Sequence, residues 1–320
     1  MSAEPAGTTG ARRAGASAAD PIGTDPTGTD PNPEENDVTL AEASATASTG
    51  PEGGAVDAPG APRLRTQGAR LAYDRRVIAE NLSVDIPDRS FTVIVGPNAC
   101  GKSTLLRSLS RLLTPTAGTV TLDEKPLGGY APKEAARVVG LLPQSSTAPD
   151  GITVADLVAR GRYPHQGLFR QWTSTDEQAV ERAMVATEVD ALADRHVAEL
   201  SGGQRQRVWA AMALAQETPI LLLDEPTTFL DIAHQIELLD LFARLHRDGT
   251  TVVAVLHELN QAARYATHLI AMKAGEVVAE GPPSEIVTAE LVEEVFGLAC
   301  VVIPDPETGT PLVIPRASRD

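Results

Sequence analysis

Cysteine is scarce: Cys100 and Cys300 are the two that 320 residues contain. That excludes a disulfide framework and favours a reducing compartment. No run approaches the roughly 18 consecutive apolar residues of a membrane-spanning helix. Nor does the N-terminus carry an apolar stretch behind a basic start, so no secretory signal is expected. Basic charge is also short, with 27 Lys and Arg against 43 Asp and Glu and a formal net charge of −16. This balance argues against a nucleic-acid partner. Large apolar side chains are almost missing from residues 1–62, where ten acidic residues face two arginines. Such a segment buries too little surface to offset its ordering entropy, and it reads as a disordered acidic tail. The remainder is ordinary in composition and long enough for a sizeable core.

What is present is organised around Gly96-Pro97-Asn98-Ala99-Cys100-Gly101-Lys102-Ser103-Thr104. This is the spacing G-x-x-x-x-G-K-[ST] of a phosphate-binding loop. Phe91–Val95 before it reads as a buried strand, and Leu105, Leu106, Leu109, Leu112 and Leu113 after it fall at helical spacing. The glycines let backbone N–H groups wrap phosphates, and the helix N-terminus adds positive potential. Lys102 would reach the β- and γ-phosphates of ATP, with the Ser103 hydroxyl on Mg²⁺. A helix N-terminus can also lower the pKa of the Cys100 thiol; a small residue that fits the loop is the plainer reading of that position.

Along the chain, strands alternate with helices, the pattern of an α/β fold with a mainly parallel sheet. Expected strands are Gly118–Leu122, Val138–Leu142, Pro219–Asp224 and Thr250–Leu256, with a hairpin over His268–Lys273 and Glu276–Glu280. Residues of about 145–200 read as a helical insertion, with Ser174-Thr-Asp-Glu177 as a capping box. The long helix is expected over Ile232–Arg247, and a terminal hairpin over residues 299–315. The expected boundaries are a tail to residue 62, one domain over residues 63–305 and a C-terminal hairpin or tail over residues 306–320.

The apolar run Pro219–Leu223 ends in two carboxylates. Asp224 would bind Mg²⁺, and Glu225 would orient or deprotonate an attacking water. Leu200-Ser201-Gly202-Gly203-Gln204 opens a helix that Ser201 can cap, with glycines that leave backbone N–H groups open to a second phosphate contact.

Placed between the phosphate loop and Asp224-Glu225, that segment resembles the signature of the ATP-binding cassette (ABC) family. The resemblance covers residues 66–300. It implies the P-loop ABC ATPase fold: a parallel-sheet core, an antiparallel β subdomain and an inserted helical subdomain. It also implies that Tyr73 stacks on adenine, a core tyrosine being the other reading. Gln144 would contact Mg²⁺ and the attacking water, Asp231 would lie in the loop that crosses a dimer interface, and His257 would be the switch that contacts the γ-phosphate. Two cassettes of this family pair head to tail, each ATP lying between Lys102 of one and Ser201-Gly202-Gly203 of the other. The chain therefore needs a second ATPase subunit, either its own copy or a sister chain.

Ala159-Arg-Gly-Arg-Tyr-Pro-His165 and Asp224-Glu-Pro-Thr-Thr-Phe-Leu-Asp-Ile-Ala-His-Gln235 resemble the ATPases of bacterial ferric-siderophore importers. This implies integral-membrane permease partners, an indirect link to a siderophore-binding protein, and a peripheral place at the cytoplasmic face of the inner membrane. Importers of cobalamin or haem, and a soluble cassette ATPase without a transport role, are the alternative readings. The long acidic tail departs from the family pattern and carries no assigned role.

Overall fold

The computed structural model describes residues 60–144, 147–167 and 172–317. Most of the acidic tail lies outside them. The first strand, β1 (Gly60–Tyr73), begins ahead of the expected start at Arg63 and pairs Gly60 with Asp88 of β2 (Arg76–Asp88). It also pairs antiparallel with β4 (Ala117–Leu122), which carries the short β5 (Lys125–Pro126), giving an antiparallel sheet in the order β2-β1-β4-β5.

The second sheet holds β3 (Phe91–Val95), β6 (Val139–Leu142), β7 (Ile220–Asp224), β8 (Thr251–Val255), β9 (His268–Lys273) and β10 (Glu276–Gly281) in the order β10-β9-β3-β8-β7-β6. All pairings are parallel except β10 on β9. Every residue of β3, β7 and β8 is buried, which is why these stretches read as unbroken apolar runs. Their period of two still sorts them. Phe91, Val93, Val95, Leu221, Leu223, Val252 and Ala254 join one core, and Ile94, Ile220, Leu222, Val253 and Val255 join the other.

The second of these cores receives α1 (Lys102–Leu109) and packs it, through Leu105, Leu106 and Leu109, against the antiparallel sheet. The helix is shorter than the leucine spacing suggests. Arg111 takes a left-handed φ of 66° and Leu112 is 65% exposed, so Leu112 leaves the apolar face while Leu113 packs at its margin. A short α2 (Pro132–Ala136) precedes β6.

A third core joins α3 (Val154–Ala159), α4 (Ser174–Ala186) and α5 (Gly202–Leu214) through Val154, Leu157, Val158, Ala183, Met184, Val208 and Ala211. The cap of α4 is Thr173, one residue before the expected Ser174. Its hydroxyl accepts the Asp176 N–H, and the Asp176 carboxylate accepts the Thr173 N–H. Thr173–Asp176 and Ser174–Glu177 both satisfy the capping-box spacing; the frame that buries Asp176 against Arg162 prevails.

After β7 comes α6 (Ile232–Arg247), and after β8 a helix the sequence reading lacked, α7 (Leu259–Tyr265). Its seven residues hold few large apolar groups, so no amphipathic stripe announces it. Beyond β10 lie α8 (Pro283–Ile286), α9 (Ala289–Phe296) and an antiparallel hairpin of β11 (Cys300–Pro304) and β12 (Pro311–Pro315).

Candidate functional site

The strand order places the chemistry. In β3-β8-β7-β6, four neighbouring strands end on one side of the sheet, where the phosphate loop, His257, Glu225 and Gln144 follow in turn. Ligands of open parallel sheets bind beyond such carboxyl ends.

The loop between β3 and α1 needs its glycines. Gly96 has φ 151°, and a Cβ there would sit 2.2 Å from the Met272 carbonyl. Gly101 has φ 111° at the helix cap. Lys102 is buried at 5% exposure, and its ammonium donates to the Gly96 carbonyl at 2.8 Å and the Pro97 carbonyl at 3.0 Å. Asn98 and Ala99 are exposed at the tip, and Ala99 is left-handed at φ 61°. Thr104 is buried beneath the loop. Cys100 is buried too, and burial pushes its thiol pKa up, although the Lys102 charge opposes this. Desolvation thus outweighs the helix N-terminus, against the lowering that the sequence allowed.

Ser103 Oγ donates to Asp224 Oδ1 at 2.7 Å. Asp224 is 2% exposed, and burial raises its pKa with help from the neighbouring Glu225 charge, while the Ser103 hydrogen bond opposes the rise. A hydroxyl beside a carboxylate is a hard-oxygen donor pair. Among the described residues no cluster of three or more His, Cys, Asp or Glu could hold a metal. One carboxylate beside one hydroxyl would suit Mg²⁺, which keeps waters and takes substrate phosphates as its remaining ligands.

Glu225 is the hub. It adopts φ 53°, an unusual region for a non-glycine residue. Its Oε2 accepts from Gln144 Nε2 at 2.5 Å, and its Oε1 lies 2.7 Å from His257 Nε2. Glu225 is 12% exposed and His257 44%. Tyr73 stands at the end of β1 and is 38% exposed, which removes the core-tyrosine reading, and its hydroxyl accepts from Arg107 Nη1 of α1 at 3.1 Å.

The remaining candidates form a separate group. Ser201 caps α5 by accepting the Gln204 N–H, and Gln204 Oε1 accepts the Ser201 N–H. Gly202 and Gly203 lie against Phe229 and Leu230, where added Cβ atoms would stand 3.5 Å and 3.3 Å from side-chain carbons. Asp231 caps α6 and meets His234 Nδ1 at 2.7 Å; the His234 N–H and ring together hold its carboxyl below the usual range. Among the described residues, no hydrogen bond or ion pair joins this group to the phosphate loop.

The sequence reading missed Gly275, marking it only as a hairpin turn. Its N–H donates to the Cys100 carbonyl at 2.9 Å, and a Cβ there would stand 2.1 Å from the Ile78 carbonyl. It buttresses the phosphate loop from behind. A glycine between two strands is too common a signal to have revealed this.

Residues 79–228 match the ABC transporter family. The chain is 61% identical, over 79% of its length and 94% of the relative's, to the ferric enterobactin transport ATP-binding protein of Escherichia coli (strain K12). The chain belongs to the ABC transporter family. A probable siderophore transport system ATP-binding protein of Bacillus subtilis (strain 168) is 51% identical to this cassette, over 80% of this chain and 94% of that one. Among solved structures, a dimeric bacterial ABC transporter cassette superposes with a TM-score of 0.62 at 28% identity, covering 68% of this chain and 98% of that one. The cassette is an ATP-binding and ATP-hydrolysing transport subunit of the P-loop ABC fold. No helix among its described residues is long and apolar enough to cross a membrane.

Proposed function

We propose that this cassette energises import of ferric siderophores, seated at the cytoplasmic face of the inner membrane on integral-membrane permease subunits that receive cargo from a siderophore-binding protein. The observation that carries the ATPase part is Glu225 held between Gln144 and His257 beside the Ser103–Asp224 pair. The cargo rests on the likeness to the enterobactin relative.

The side chains divide the work. Tyr73 stacks on adenine, and Lys102 leaves the Gly96 and Pro97 carbonyls to reach the β- and γ-phosphates. Ser103, Asp224 and Gln144 hold Mg²⁺, which when bound neutralises phosphate charge. Glu225 accepts a proton from the attacking water as the water oxygen bonds to the γ-phosphorus and the bond to ADP breaks. His257 contacts the γ-phosphate. A second cassette, a copy of this chain, supplies Ser201, Gly202, Gly203 and Gln204 across the interface, with Asp231 in the crossing loop. The likeness to a dimeric cassette supports this pairing. Closure on ATP and reopening after hydrolysis drive the permease.

Uptake of labelled iron as ferric siderophore, in iron-starved cells carrying wild-type protein or Lys102→Ala, tests the whole reading. Loss of uptake in the variant is expected. Unchanged uptake, with purified wild-type protein still hydrolysing ATP, moves the cargo to cobalamin or haem, or to a non-transport role.

A further inference from the structure

Helix α7 follows His257 and Glu258 and packs on the main core through Leu259, Ala262, Ala263 and Tyr265. Its fully buried side chains are the small Ala262 and Ala263, while the larger Leu259 and Tyr265 are only partly buried. Its N-cap, Glu258, makes no side-chain capping bond. Three polar side chains fix its position further. Tyr265 donates to Asp240 at 2.8 Å and Gln261 to Gln235 at 3.0 Å, both on α6. The third tie runs to the C-terminal hairpin, and it is double. Val313 N–H donates to Asn260 Oδ1 at 2.8 Å, and Asn260 Nδ2 donates to the Val313 carbonyl at 3.2 Å.

Val313 pairs with Val302 in the hairpin, so the Asn260 amide occupies the other edge of β12, as a neighbouring strand would. Asn260 lies in the first turn of α7, and a two-point amide contact fixes both the height and the rotation of that turn. The α6 tie nearest to it, from Gln261, is single and joins two flexible side chains.

We propose that Asn260 is a positioning residue that locks α7 to the C-terminal hairpin and so holds the His257 imidazole on Glu225. The inference rests on the reading of His257 as the switch for the hydrolysed phosphate. It gives the C-terminal hairpin a part in the ATPase cycle: displacement of β12 shifts the first turn of α7, and His257 moves with it. Nucleotide affinity, set mainly by the phosphate loop and Tyr73, which Asn260 does not touch, stays as it is.

The test compares full-length wild-type protein with Asn260→Leu, which keeps bulk and loses both hydrogen bonds, and Asn260→Asp, which keeps the acceptor for Val313 N–H. In Asn260→Leu, kcat for ATP is expected to fall by about tenfold with KM changed by less than about twofold. Asn260→Asp falls between the two. The second readout is the imidazole ¹H–¹⁵N spectrum of the six histidines, in which the signal missing from His257→Ala identifies His257. That signal is expected to move in Asn260→Leu, and less in Asn260→Asp, while the other five stay in place. An unmoved His257 signal, an unchanged kcat, a change confined to KM, or a shift of all six signals each overturns the proposal. Unchanged hydrolysis in His257→Ala overturns the switch reading instead, and the His257 signal still reports separately whether Asn260 holds the ring.

Discussion

Replacement of Arg162 by leucine removes a cation that the fold has almost completely enclosed. The guanidinium side chain is 4% exposed. Its Nε donates to Asp176 Oδ1 at 3.0 Å, and its Nη1 to the Ala215 carbonyl at 2.8 Å and Glu217 Oε2 at 2.9 Å. One residue thus straps the stretch Arg160–His165 to the first turn of α4 and the end of α5. Arg162→Leu preserves bulk but leaves the Asp176 carboxylate, 1% exposed, with Thr173 as its remaining partner. Breaking such a pair costs about 3–5 kcal/mol because a buried charge is orphaned. The Glu217 contact adds little, since Glu217 is 42% exposed and keeps Arg182. Urea unfolding of purified Arg162→Leu should therefore show a loss of about 3–5 kcal/mol, and the double variant Arg162→Leu with Asp176→Asn should recover part of it. A loss under about 1 kcal/mol, below the range for a broken buried pair, would refute the reasoning. The pH dependence carries a second check. Burial alone would raise the Asp176 carboxyl, but the hydrogen bonds from Thr173 and Arg162 prevail and hold it below its ordinary value. A depressed carboxyl stabilises the fold in full above its unfolded value and loses that contribution as pH falls through the folded one. Asp176→Asn should remove this part of the acid sensitivity.

Glu225→Gln should retain ATP binding, slow turnover by at least about a hundredfold and trap the closed dimer, read by phosphate release and gel filtration with ATP; wild-type turnover would remove Glu225 from the base role. Gly275→Ala forces a Cβ towards the Ile78 carbonyl and should disturb the Cys100 backbone contact. It is expected to weaken nucleotide binding by about five- to 150-fold, the equivalent of roughly 1–3 kcal/mol of local strain, measured by fluorescent-ATP titration. Cys100→Ala should leave ATPase activity within about twofold, and the buried, high-pKa wild-type thiol should alkylate slowly at neutral pH; rapid labelling of the folded protein would show that the thiol is accessible.

The sheet was legible because β3, β7 and β8 are enclosed on both faces, so their apolar runs carry no competing pattern. Motif residues were legible because phosphate chemistry demands fixed spacings of Gly, Lys, Ser and carboxylate. What stayed hidden depends on contacts distant in sequence. Helix α7 is held by Asn260, Gln261 and Tyr265 reaching other elements, and local spacing says nothing of those partners. The cap of α4 was misplaced by one residue because the segment satisfies the capping rule in two frames, and Arg162 decides between them from outside it. Leu112 fits the helical spacing of α1 but follows the left-handed turn at Arg111, a backbone event without a glycine to signal it.

The convergence on Glu225 has a mechanical consequence. A carboxylate offers about four acceptor positions; Gln144 and, at a longer 3.5 Å, the Thr228 hydroxyl take Oε2, and His257 lies on Oε1, so Oε1 can still accept from a water without displacing any of them. Their contribution is orientation: together they fix the carboxylate plane. The two grips come from different parts of the fold. Gln144 stands just past the end of β6, ahead of α3, and His257 stands where β8 gives way to α7 and its clamp on the hairpin. Movement of either neighbour rotates the same carboxylate away from its water. Displacement on either side therefore reaches the same base directly, without a relay through the rest of the sheet.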